Sequence, residues 1–109
     1  MDQLKERVFA LCVRKGWGEN GVQNPQHIAM AMTVEMSELL EHFQWLDAPD
    51  VKRLLLGGDP ERTRLIAEEM ADVMIYDLQL ARALGIDVST AITDKLGVVD
   101  RRPNGVQHT

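Results

Sequence analysis

Two long stretches of this chain open on the same two-residue signal and then set acids among their apolar residues. "NPQHIAMAMTVEMSELLEHFQW" begins with Asn24 before Pro25, and "DPERTRLIAEEMADVMIYDLQLARALG" begins with Asp59 before Pro60. Asn or Asp suits a helix N-cap, and proline suits the first helical position, where no amide donor is missed. At about 100° per residue, Ile28, Met32, Leu39, Phe43 and Leu46 line one stripe of the first stretch. Glu35 points into its middle, and Glu38 lies one turn on and to the side. In the second stretch Leu65, Tyr76, Leu80 and Ala83 form the stripe, and both Glu69 and Asp72 fall within it. An amphipathic helix ordinarily keeps its carboxylates on the wet face.

Each helix therefore carries an acid pair at i, i+3 on its core side, and residues three apart are neighbours on a helix surface. Packed face to face, the helices converge four carboxylates into one buried cluster. Four unpaired anions in an apolar setting are too unfavourable to remain ionised without a cation. Local side chains do not supply one: no Lys or Arg occurs between Lys15 and Lys52, and Arg62 and Arg64 lie well before Glu69. An all-carboxylate cluster without His or thiol suits a hard divalent ion, Mg²⁺ or Mn²⁺. One acid pair on a helix is ordinarily a solvated face; two pairs inside two apolar stripes are not. Di-iron bundles need Glu-x-x-His on two helices. His42 follows Glu38 by four and Glu41 by one, and His27 and His108 have no such partner, so that centre is not expected.

The remaining chain reads as helix too. A first helix is expected from Asp2 to Lys15, broken by "GWGENG"; the second runs to about Leu46, and a short one follows Pro49. The helix opening at Pro60 ends where Gly85 takes a left-handed cap. A last, shorter helix starts near Ser89 and fades around Gly97, and "VVDRRPNGVQHT" is expected to be loose, the tail proper from about residue 100 to 109. No strand alternation appears, so the class is all-α: four main helices in one domain spanning residues 1–109. So few apolar companions on the first helix leave a thin core. Dimerisation, as a dimer or a dimer of dimers, is expected to complete it.

Composition narrows the partners. The net charge of -5 gives no electrostatic reason to meet nucleic acid or an anionic membrane, and no apolar run is long enough to span one. Cys12, the single cysteine, cannot close an intrachain disulfide, and "MDQLKERVFAL" lacks a signal peptide's basic start and apolar middle. A cytoplasmic setting is expected.

At these residues the sequence resembles a family. "EMSELLEHFQW" followed by "EEMADVMIYDLQLARALGIDV" resembles the MazG-like all-α nucleoside triphosphate pyrophosphohydrolases, closest to the small single-domain branch that includes dCTP pyrophosphatases. The resemblance covers roughly residues 17 to 95, and Glu35, Glu38, Glu69 and Asp72 match its ExxE and ExxD signature position by position. It implies hydrolysis of a nucleoside triphosphate to the monophosphate and pyrophosphate, with Mg²⁺ held by those four acids. Divalent ions would also explain how an acidic protein takes an anionic substrate. A carboxylate beside the attacking water can serve as general base; Glu38 is the candidate, with Glu41 the other. By the same resemblance Trp45 and Tyr76 line a nucleoside pocket, Trp17 matches a third pocket residue, and Lys95 and Arg102 approach the phosphates.

The chain departs from the family at two places. Gln23 or Asn24 stands where relatives often carry His, and "KLGVVDRRPNG" lacks the asparagine and tyrosine of their C-terminal segment. These changes bear on base preference rather than on the acids. The competing reading is a non-catalytic helical interaction protein whose acids contact a partner.

Overall fold

The structure is a computed structural model that describes residues 2–18 and 23–105. It contains α1 (Asp2–Lys15), α2 (Pro25–Glu41), α3 (Ala48–Leu55), α4 (Pro60–Leu84) and α5 (Val88–Asp100). Among the described residues there is no strand. The expected all-α class holds, with the short helix after Asp47 making five. His108 and part of the "GWGENG" break lie outside the described residues.

The starts of α2, α4 and α5 are each fixed by a capping side chain. Asn24 Oδ1 accepts from the Gln26 and His27 amides at 2.8 and 3.3 Å. Asp59 Oδ1 accepts from the Arg62 amide at 3.2 Å, and Asp87 Oδ1 from that of Thr90 at 3.0 Å. These bonds satisfy amides that have no partner inside the helix. At the other ends of α1 and α4, Gly16 and Gly85 take φ of 69° and 66°, a left-handed conformation only glycine adopts freely. The amide after each reaches back five residues, Trp17 to the Cys12 carbonyl at 3.0 Å and Ile86 to that of Ala81 at 2.8 Å.

Two boundaries differ from the sequence expectation. Helix α2 stops at Glu41 rather than near Leu46, because Arg62 Nη1 donates to the His42 carbonyl at 3.0 Å. That carbonyl is the one a continuing helix would offer to the Leu46 amide, which instead bonds Phe43 at 3.0 Å in a tighter turn. The loss of helical phase leaves Phe43 42% exposed rather than in the stripe. Helix α5 passes through Gly97 and ends at Asp100, so residues 98–100 are helical rather than loose. A single helical glycine costs about 1 kcal/mol against alanine, which a helix can absorb.

Helices α2 and α4 lie along one another as the central pair, with α1 and α3 touching α4 more lightly. Leu78 and Ala81 of α4 meet Val88 at the start of α5, with Val8 of α1 packed against them. Cys12 and Ile28 are also buried, and burial pushes the Cys12 thiol up from its ordinary pKa. Arg82 stacks its guanidinium 4.7 Å from the centre of the Phe9 ring, tying α4 to α1. The radius of gyration is 16.8 Å, whereas a compact chain of this length has roughly 13 Å. The single chain is thus open, and it exposes large apolar side chains including Trp45, Leu55, Leu56 and Leu96.

Candidate metal centre and adjoining cavity

The long contact between α2 and α4 brings the acid pairs together. Glu35, Glu69 and Asp72 each offer a carboxylate oxygen, and these oxygens lie within 4.8 Å of one another. Glu38 joins them through side-chain contact with both Glu35 and Glu69. Four carboxyl groups therefore share one site at the seam of the central pair.

Electrostatics record the strain of that arrangement. Burial, then the charges of Glu38 and Asp72, push the Glu35 carboxyl above its ordinary range. The same three influences, in the same order, raise Glu69, opposed weakly by His42. Glu35 Oε2 and Glu69 Oε2 are both buried without a hydrogen-bond partner. The arginines of α4 are engaged elsewhere: Arg62 pairs with Asp59 at 3.2 Å, and Arg64 with Glu61 and Glu68 at 2.6 and 2.7 Å. An all-oxygen donor set with two orphaned buried oxygens fits a hard divalent cation, which would be held by Glu35, Glu69 and Asp72 with Glu38 beside them.

The cluster is not wholly buried, as the apolar stripes led one to expect. Glu35 and Glu69 are half-buried, whereas Glu38 and Asp72 are exposed. The seam is covered only in part, since α1 and α3 touch α4 lightly and α5 meets it at Val88, so one side of the cluster stays open to solvent and to ligand.

That open side leads into a cavity of about 340 Å³ lined by Trp17, Gln23, Glu35, Asp72, Tyr76 and Gln79, among others. Trp17 reaches it because the Gly16 turn ends α1 there. Trp45 does not line it: past the end of α2, its side chain is 85% exposed. Lys95 lies on α5 at a different, apolar cleft, and Arg102 follows the end of α5, outside the cavity lining. The sequence reading passed over Gln79, though it stands three residues after Tyr76 and seven after Asp72 on the same helix. That spacing was the available signal.

An all-helical chain with a carboxylate-only candidate centre beside an aromatic cavity is the class these features define. The chain belongs to the MazG-like family, whose sequence model matches residues 30–104. It is 32% identical to dCTP pyrophosphatase 1 of Homo sapiens over 78 residues, 72% of this chain and 45% of that one. The Bos taurus protein of the same name is 31% identical over 78 residues, again 72% of this chain and 45% of the relative. The chain thus spans less than half the length of these curated relatives. No solved structure gives a significant match.

Proposed function

We propose that the protein is a Mg²⁺-dependent nucleoside triphosphate pyrophosphohydrolase that converts a (d)NTP and water to the (d)NMP and pyrophosphate. Its setting is the cytoplasm, and its substrates are dCTP-like or modified nucleotides removed from the pool. The observation that carries this reading is the convergence of Glu35, Glu69 and Asp72 oxygens within 4.8 Å, at the mouth of an aromatic cavity. Family membership and the named activity of the relatives support it.

Each residue has a definable task. Trp17 and Tyr76 offer aromatic faces on which a base can stack, worth roughly 1–3 kcal/mol per base. Glu35, Glu69 and Asp72, with Glu38 beside them, would hold the cation, which when bound would neutralise charge on the triphosphate and on the leaving pyrophosphate. Glu38, exposed at the edge of the cluster, takes the proton of the attacking water, with Glu41 one turn on as the other candidate. Lys95 and Arg102 do not line this cavity in one copy. A second copy could present them, together with Trp45. The exposed apolar cleft of about 290 Å³ between the end of α4 and α5, with Leu84, Ile86 and Ile92, is the surface such a copy would cover in a homodimer or homotetramer.

The test is incubation with a panel of NTPs and dNTPs, with and without Mg²⁺ or Mn²⁺. Pyrophosphate should appear only with metal. Release of single orthophosphates would refute the assigned bond cleavage.

A further inference from the structure

Gln79 has an environment that the packing of the helix does not explain. It is 6% exposed, more buried than Val88 of the core. Its side chain lines the cavity beside Trp17 and Tyr76, yet its Oε1 is buried without a hydrogen-bond partner. Across the same cavity Gln23, half-buried just before the N-cap of α2, leaves its own Oε1 buried and unpartnered. Buried side-chain oxygens are satisfied in the large majority of cases, and an unmade bond opposes folding. A leucine at 79 would pack α4 against α1 without that penalty. Two orphaned acceptors in one cavity, beside two aromatic rings, call for a ligand that brings donors.

We propose that Gln79, assisted by Gln23, is a specificity-determining residue that reads the edge of the nucleobase. The proposal rests on the pyrophosphohydrolase reading above and assigns this chain's base discrimination to a residue outside the acid cluster. The Gln79 oxygen accepts from an exocyclic amino group, so a base with that group, cytosine or adenine, is favoured over its keto counterpart. A keto base offers that oxygen no donor, so the amide must turn over to present its NH2 and leaves the oxygen unpaired. Sites built to bond a substrate N–H reject analogues lacking it far more strongly than apolar pockets reject a change of size.

The experiment compares kcat/KM for two pairs that differ chiefly in amino against keto, dCTP with dUTP and dATP with dITP, in wild type and in Gln79→Leu. The wild type should favour the amino member of each pair, and in the variant the ratio should fall at least about tenfold. The melting midpoint of Gln79→Leu should stay at or above that of wild type, since an apolar group replaces an unsatisfied one. Should Gln79→Leu fail to fold, the unbranched Gln79→Met carries the same ratio measurement. An unchanged ratio in the variant, or a wild type indifferent to the amino group, overturns the inference while leaving the pyrophosphohydrolase reading in place. Absence of pyrophosphate from all four nucleotides in the wild type overturns that underlying reading, and this inference with it.

Discussion

Glu35 and Glu69 illustrate how a residue unfavourable to the fold can mark a site. Their carboxyls are raised by burial and by neighbouring acids, so at neutral pH the ionised cluster works against the folded chain. A glutamine at 69 mimics the neutral acid. Glu69→Gln is therefore expected to melt at or above the wild type without metal, yet to lose metal affinity by more than the roughly 10–100-fold typical of an outer-shell change. Thermal melting paired with a metal titration checks both halves. Glu38→Gln should keep metal binding measurable but lower kcat by about 10²–10⁴, the usual worth of a general base, read from single-turnover release of pyrophosphate.

Among the elements, the helix starts add a pH dependence of their own. Asp59 and Asp87 are held below their ordinary pKa, each chiefly by the backbone amide it caps. A depressed folded-state value means that the stabilisation is present above the unfolded pKa and is lost as pH falls through the folded one. Asp59→Asn and Asp87→Asn keep a capping side chain but cannot titrate. Their melting midpoints should fall less steeply than the wild type's below about pH 4, as scanning calorimetry across the acid range would register. Arg62 ties the end of α2 to the start of α4 through Asp59 and the His42 carbonyl. Its side chain is partly exposed, so Arg62→Leu should cost only about 1 kcal/mol in urea unfolding.

These same elements show what a sequence reading can and cannot reach. Asn24-Pro25, Asp59-Pro60 and Gly85 announce their boundaries because capping is local chemistry. The acid pairs were legible because i, i+3 spacing and apolar phase are both helix-surface properties. The early stop of α2 was not, since it depends on an arginine twenty residues away taking one carbonyl. The exposure of Trp45 follows from that stop. The spacing of Gln79 from Asp72 and Tyr76 places it on their face of α4, but a glutamine there points to a ligand only once the cavity around it is seen.

At the scale of the whole molecule, the single chain leaves large apolar side chains of α5 exposed. Exposed patches beyond the usual few hundred Å² mark association sites. Ile92 is 47% exposed and Leu96 62%. Ile92→Glu with Leu96→Glu should therefore shift the protein from oligomer toward monomer in sedimentation equilibrium, with a lower melting midpoint at equal protein concentration. A wild type that sediments as a monomer at high concentration would contradict the expected assembly. The central claim concerns the seam of α2 and α4, and it is tested most directly by titrating Mg²⁺ into the wild type while following thermal unfolding. A cation that binds only the folded chain must raise the midpoint with concentration. The midpoint should climb with added Mg²⁺ in the wild type and stay flat in Glu35→Gln with Glu69→Gln; equal behaviour of the two proteins would contradict a metal centre at these carboxylates.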